Sequence, residues 1–223
     1  MINEQRVTVG GAIADKPARL VAPGDPIELR GVARTYVSRG GDKLAAALDR
    51  FGVDVADRRV LDAGASTGGF TDCVLQRGAR QVVAVDVGYG QLHERIRADG
   101  RVDVRDRTNV RTLDADAIGG PVDVVVADLS FISLKTVAPA LLACTVEGAD
   151  IVALVKPQFE AGRVEASRGR GVIKDPAVHS RVVEEICAAF DLCGASIMGT
   201  MESPITGADG NREFLVHARA RGM

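Results

Sequence analysis

Apolar residues in this chain fall into short, near-continuous aliphatic runs separated by stretches with helical spacing, a rhythm that predicts alternating strands and helices. Strands are expected from Val60, at Gln81-Val-Val-Ala-Val-Asp86, at Val102 to Val104, at Val122-Asp-Val-Val-Val-Ala127 and at Asp150 to Val155. Runs this uniformly aliphatic suit strands covered on both faces. Between them, Asp42 to Phe51 carries Leu44, Leu48 and Phe51 on one helical face, and Phe70, Cys73 and Val74 line a second helix that Gly78 ends. Further helices are expected near Gln91 to Ala98, Ser133 to Cys144 and Pro176 to Cys193. Two last strands, Ala195 to Met201 and Glu213 to Ala220, flank the turn-rich Glu202 to Arg212, which predicts a hairpin. The expected fold is α/β: a mostly parallel seven-stranded sheet with one antiparallel strand and helices on both faces.

The first core strand runs into Leu61-Asp-Ala-Gly-Ala-Ser-Thr-Gly-Gly-Phe70, an acidic turn with a glycine cluster that opens a helix. In an open parallel sheet, ligands bind at such strand ends, where the next helix offers unpaired N–H groups. A dinucleotide turn needs Gly-x-Gly-x-x-Gly, and here no glycine stands at its second position. Asp86 ends the next strand 22 residues beyond Gly64, about where a carboxylate accepts hydrogen bonds from ribose hydroxyls. S-adenosylmethionine, with a ribose, an adenine and no phosphate, fits this turn. Its expected site includes Asp62, Gly64, Ala65, Ser66, Thr67, Gly68, Gly69 and Asp86. Taken alone, the glycines also fit a tight strand-to-helix turn without a ligand.

The chain has 223 residues, 46% of them hydrophobic, enough for one α/β core and a small appendage. Its net charge of −2 means that contact with nucleic acid must rest on local basic patches. Cys73, Cys144, Cys187 and Cys193 lack metal-ligand spacing and read as free thiols of a reducing cytoplasm, so no metal is expected. There is no secretory leader, and no apolar run approaches the ~20 residues of a membrane span, so a soluble cytoplasmic protein is expected, without a membrane partner. No protein partner is evident.

At the N-terminus, Arg6-Val-Thr-Val-Gly-Gly-Ala12 and Pro26-Ile-Glu-Leu-Arg30 are short strand candidates around a turn-rich piece. Gln5-Arg-Val-Thr-Val-Gly-Gly, Lys16-Pro and Gly24-Asp-Pro-Ile-Glu-Leu resemble the second half of the small RNA-binding domain shared by a ribosomal small-subunit protein, pseudouridine synthases and tyrosyl-tRNA synthetases. Residues 1–34 are therefore expected to be a partial RNA-binding segment and linker, and 35–223 the main domain. A disordered or edge-strand N-terminus without that role is the other reading.

Ionisable residues also end two later strands. Asp128 follows Val124-Val-Val-Ala127 and Lys156 follows Ile151-Val-Ala-Leu-Val155, with Pro157 expected to keep its backbone extended. A lysine there is costly unless paired, so a purely stabilising Asp128–Lys156 pair is one reading and a reactive lysine is another. Lys43 is expected in the first turn of its helix, where a cation opposes the dipole; a solvated lysine is the ordinary meaning of such a residue.

Ser38-Arg-Gly-Gly-Asp-Lys-Leu, Leu61-Asp-Ala-Gly-Ala-Ser-Thr-Gly-Gly-Phe-Thr, Val85-Asp-Val-Gly-Tyr-Gly-Gln-Leu, Arg107-Thr-Asn, Ala127-Asp-Leu-Ser-Phe-Ile-Ser, Leu154-Val-Lys-Pro-Gln-Phe-Glu and Gly210-Asn-Arg-Glu-Phe resemble the TlyA (hemolysin A) family of ribosomal RNA ribose methyltransferases, within the FtsJ-like group. The resemblance implies a Rossmann-like class I methyltransferase fold and transfer from S-adenosylmethionine to a ribose 2′-hydroxyl, of cytidine, in ribosomal RNA or ribosomal subunits. It also implies a Lys-Asp-Lys-Glu catalytic tetrad, here Lys43, Asp128, Lys156 and Glu213. The cofactor site extends to Val87, Asn109 and Asp128.

Under that resemblance Lys156 takes the hydroxyl proton, its own proton affinity lowered by Lys43 and partial burial; Asp128 orients it, and Glu213 positions Lys43 or the ribose. Asp128-Leu-Ser-Phe131 lacks the (Asp/Asn)-Pro-Pro-aromatic pattern of enzymes that methylate exocyclic amines. Arg30, Arg34, Arg39 and Lys43, and then Arg163, Arg168, Arg170 and Lys174, form two basic clusters suited to phosphates or to plain solvation. Two alternatives remain: a non-catalytic RNA-binding or assembly module, disfavoured by the complete tetrad, and a hemolysin-like membrane-active protein, disfavoured by the absence of an apolar span or basic amphipathic helix.

Overall fold

A computed structural model of the chain describes residues 2, 7–29, 35–162, 165, 171–207 and 209–222. It divides into two compact units, Met1–Thr35 and Tyr36–Met223. In the first, strand β1 (Val7–Val9) pairs antiparallel with β2 (Ala12–Ile13) on one side and β3 (Ile27–Leu29) on the other. Val7, Val9 and Ala14 are buried and Ile2 packs against them, a core of very few side chains. The sequence located β1 and β3; β2 is an addition, formed because Gly10 and Gly11, both at positive φ, fold the chain straight back.

The second unit is built on a seven-stranded sheet. Its strands are β4 (Arg59–Ala63), β5 (Gln81–Val85), β6 (Val102–Arg105), β7 (Val122–Ala127), β8 (Thr145–Val155), β9 (Ala195–Glu202) and β10 (Phe214–Ala220), in the order β6-β5-β4-β7-β8-β10-β9. All neighbours are parallel except β10, which runs antiparallel to both β8 and β9. The expected single reversed strand is therefore present, delivered by the predicted hairpin.

Alternation along the strands sorts the core into two layers. Leu61, Val83, Val125, Ile151 and Val216 face α4 (Leu134–Ala143) and α6 (Pro176–Leu192), whose Val137, Leu141, Val182, Ile186 and Phe190 complete that layer. Val60, Val82, Val124, Val152 and Leu215 face α1 (Arg39–Phe51) and α2 (Gly69–Gln76) through Leu44, Leu48, Phe70, Cys73 and Val74. Burial on both faces is the physical reason the strands read as unbroken aliphatic runs. All four cysteines are free thiols.

Several boundaries differ from expectation, β8 among them, which begins at Thr145 and not at Asp150. Helix α1 begins at Arg39, because the Ser38 hydroxyl accepts the Gly40 N–H and caps it, so Lys43 lies in the second turn and not in the first. Helix α3 (Glu94–Arg97) is a single turn where eight residues were expected. Lys156 is extended as predicted, at φ −111° and ψ 100°, but Pro157 opens a short helix, α5 (Pro157–Glu160), as proline at a first helical position can.

Far from the strand ends that carry Asp128 and Lys156, Asp150 is buried under a cationic cluster. Its carboxylate lies 2.9 Å from His217 Nε2, 2.9 and 3.1 Å from two Arg219 nitrogens, and 3.3 Å from Arg58. Burial pushes the Asp150 carboxyl up, but the hydrogen bonds from His217 and Arg219 outweigh it and hold the group below the ordinary carboxylate range. A depressed carboxyl stabilises the fold above its unfolded value of ~3.9, and that contribution is lost as pH falls through the folded value. Asp150→Asn should therefore cost about 2 kcal/mol at pH 7 and progressively less below about pH 4, measured by urea unfolding. An equal cost at pH 7 and pH 3 would show that the charge is immaterial.

Candidate active site

The strand order reverses between β4 and β7, and the carboxyl ends of the central strands open a crevice there. The register aligns those ends: Ala63 pairs with Val85 and Ala127, Ala127 with Ala153, and Val155 with Phe214. Gly64, Asp86, Asp128, Lys156 and Glu213, each one residue beyond its strand or just before it, are thus brought to one edge.

Gly64 has φ +90°, and a Cβ on it would sit 2.5 Å from the Asp128 carbonyl oxygen, so no other residue fits this crossing. The turn beyond is held by Asp86, whose two carboxylate oxygens accept the Ser66 N–H at 2.8 Å and the Gly88 N–H at 2.7 Å. A cavity of about 360 Å³ lies over it, lined by Gly64, Ser66, Asp86, Val87, Asn109 and Asp128 together with apolar Val110, Leu129 and Ile132. Six of the predicted cofactor residues therefore share one cavity. Asn109 also caps the 3-10 turn Val110–Thr112 by accepting the Arg111 N–H. Thr67 is exposed, and Ala65, Gly68 and Gly69 are buried beneath the lining, where Gly68 caps α2.

Asp62 is also beneath the lining and fully buried. One carboxylate oxygen accepts the Thr71 hydroxyl at 2.6 Å; the other has no partner. Burial, opposed by the Thr71 hydrogen bond and reinforced by Asp128 and Asp86, pushes its carboxyl up to about 7.

Two lysine–carboxylate pairs stand beside the cavity. Lys156 Nζ lies 2.5 Å from Asp128 Oδ1 and donates to the Ser130 hydroxyl at 3.0 Å. Lys43 and Glu213 form a second pair, only 7% and 3% exposed. Lys43 is thus a buried ion-pair partner of Glu213 and not a member of a surface cluster. Gly207 makes room for this pair, since a Cβ there would come 2.5 Å from Glu213 Oε1. Helix α1 is itself anchored at its entry: buried Asp72 accepts the Val37 N–H at 2.8 Å and an Arg95 nitrogen at 2.7 Å. Of the basic clusters, Arg39 and Lys174 are exposed, while Arg30, Arg34, Arg163, Arg168 and Arg170 lie outside the described residues.

Four residues went unassigned in the sequence although each stands inside a quoted motif. Ser130 bonds Lys156; Phe131 is 90% exposed at φ +63°, its ring 4.9 Å from that of Phe159. Glu160 is buried against the start of α4. Asn211, 1% exposed, accepts the Ile173 N–H and donates to the Gly171 carbonyl, both at 2.9 Å. The only signal for any of them was proximity to Asp128, Lys156 or Glu213.

A sheet of this order, with one reversed strand and a glycine crossing at the switch point, defines the Rossmann-like methyltransferase class. The FtsJ-like methyltransferase model matches residues 36–220, and the chain belongs to that family. It is 49% identical to the 16S/23S rRNA (cytidine-2'-O)-methyltransferase TlyA of Mycobacterium tuberculosis, over 99% of this chain and 82% of that protein. It is 30% identical to the 23S rRNA (cytidine-2'-O)-methyltransferase TlyA of Campylobacter jejuni, over 86% and 74%. A solved Streptococcus thermophilus structure described as a hemolysin superposes with a TM-score of 0.85 at 42% identity, over 99% of this chain and 80% of that one. A Listeria monocytogenes structure described as an S-adenosylmethionine-dependent methyltransferase, at 16% identity and TM-score 0.60 over 83% and 100%, shares the fold alone.

Because the folded chain holds the Asp62 proton to higher pH than the unfolded chain does, ionising Asp62 costs stability. The cost is absent below about pH 4, grows up to about pH 7 and is constant above it. The stability of the native chain relative to Asp62→Asn should therefore fall between about pH 4 and about pH 7 in paired urea titrations. A difference that stays flat across this range would show that Asp62 titrates normally.

Proposed function

We propose that the chain is an S-adenosylmethionine-dependent 2′-O-methyltransferase acting on cytidine ribose in ribosomal RNA. The observation that carries this reading is the pair of lysine–carboxylate contacts, Lys156 with Asp128 and Lys43 with Glu213, beside a cavity with nucleoside chemistry. The activities for which the two TlyA relatives are named support the same substrate.

The cavity residues fit the cofactor. Each Asp86 oxygen accepts one backbone N–H and keeps a second lone pair, so the two oxygens suit the two hydroxyls of a ribose. Val110, Leu129 and Ile132 supply apolar walls for an adenine, and Gly64 keeps the turn open. The volume falls within the ~300–1,000 Å³ of small-molecule sites. When bound, S-adenosylmethionine supplies an electrophilic methyl carbon on a sulfonium.

A ribose hydroxyl is a poor nucleophile until its proton leaves. Lys156 Nζ, once neutral, accepts that proton from the 2′-oxygen, while Asp128 and Ser130 aim the amine. Glu213 holds Lys43 as a fixed cation at the same edge, where it favours negative charge developing on the oxygen. Phe131, exposed beside this group, offers a face on which an unstacked base can lie. Residues 1–34, read as the partial RNA-binding segment, contribute docking to RNA. Several relatives carry hemolysin descriptions, but among the described residues no helix is long and apolar enough to cross a membrane.

Lys156→Ala and Lys156→Arg should each lower the single-turnover methylation rate of ribosomal RNA by roughly 10²–10⁴-fold, because neither side chain can take the proton at neutral pH. Calorimetry should find S-adenosylmethionine affinity nearly unchanged in both, whereas Asp86→Ala should weaken it; no measurable binding of S-adenosylmethionine by the unaltered chain would sink the reading. A Lys156→Arg enzyme that kept most of its rate would make the lysine a positioning cation instead.

A further inference from the structure

Phe131 combines two features that disfavour one another in an unconstrained loop. It is 90% exposed, so little packing holds it, yet its φ of +63° lies in the left-handed region that aromatic residues avoid. Such a conformation is strained and persists only where surrounding contacts enforce it. One neighbouring element that contacts this segment is α5 (Pro157–Glu160).

Glu160, the last residue of α5, is 8% exposed. Its Oε1 accepts the Leu134 N–H at 2.7 Å and its Oε2 accepts the Ser133 hydroxyl. A carboxylate borrowed from another helix thus caps the start of α4, on the side that a helix N-terminus favours for a negative charge. Phe159, one residue earlier, packs its ring against Phe131. Lys156, at the other end of α5, holds Asp128 and Ser130. The segment 128–134 is therefore met at Asp128 and Ser130 by Lys156, the N-cap of α5, at Phe131 by Phe159, and at Ser133 and Leu134 by Glu160.

Resting on the methyltransferase reading above, we infer that Glu160 is a positioning residue: it latches α5 to the start of α4 and so holds both the strained Phe131 and the Lys156–Asp128 pair in their working places. Glu160 touches no reacting atom. Its action runs through the two segments whose separation sets the distance from Lys156 to the substrate oxygen, and a misplacement near 1 Å can cost about 10²-fold in rate.

The test compares Glu160→Ala, Glu160→Asp and Glu160→Gln. Glutamine retains an oxygen for the Leu134 N–H and an amide for the Ser133 hydroxyl; aspartate, one methylene shorter, withdraws from both. Fluorine NMR of protein carrying fluorophenylalanine follows Phe131 directly, since the chain has six phenylalanines to resolve. The Phe131 signal should shift or broaden in the Ala and Asp variants and return close to native in Gln. Single-turnover methylation should drop roughly 10–100-fold in Ala and Asp, with KM for RNA and S-adenosylmethionine affinity near native, and recover in Gln. If Glu160→Ala does not fold, the Asp variant carries the comparison. An unmoved Phe131 signal, or a rate that falls only in step with cofactor affinity and melting temperature, would overturn the latch. If the unaltered chain transfers no methyl group, the functional reading fails, while the fluorine signal still decides whether Glu160 holds Phe131.

Discussion

One close approach governs the catalytic edge: the backbone of residue 64 passes so near the Asp128 carbonyl that a single methyl group would collide with it. The two strands concerned, β4 and β7, are the pair at which strand order reverses, so the chain leaves them in diverging directions and opens a crevice. A side chain at 64 would push β4 and β7 apart at the point where Asp128 begins. The seat of Lys156, which depends on Asp128, would move with it. The geometry of both the cavity and the ion pair therefore hangs on a residue without chemistry of its own.

Charge is then distributed unevenly through the unit. Each buried ionic group at the site serves a second element: Glu213 reaches Lys43 on α1, Glu160 reaches the start of α4, and Asp72 reaches the backbone entering α1. Buried pairs of this kind contribute little net stability, because desolvation offsets the attraction. Their effect here is registration, since four separate segments must meet within hydrogen-bond distance at one edge. Asp62 illustrates the cost, with an unpartnered oxygen and a carboxyl pushed up to about 7 directly beneath the cavity. The Asp150 cluster is the counterexample, a carboxylate surrounded by enough donors to remain ionised away from the crevice.

Much of this architecture was legible in the order of residues. Aliphatic runs such as Ile151-Val-Ala-Leu-Val155 announced doubly covered strands, and the Glu202 to Arg212 connection announced the reversed one. The glycine turn and Asp86 marked the crevice, because backbone clearance and a carboxylate at a strand end are local properties that spacing reveals. Element ends were less legible. The start of α1 turned on a single hydroxyl, Ser38, and moving it placed Lys43 one turn deeper in the helix.

What the sequence determined by itself was the set of elements, the edge at which chemistry would gather and the residue types available there. Only the tertiary structure decided the pairings. Lys43 and Glu213 are 170 residues apart, and nothing local joins them; a seven-stranded register brings them within contact. Phe131 reads in sequence as an ordinary apolar residue, and only the structure shows it exposed, in a left-handed conformation, against the Phe159 ring. Composition and periodicity report which face of an element is buried. Which charge meets which depends on strand order and on the packing of α1 and α5 over the sheet edge, and those are properties of the assembled fold.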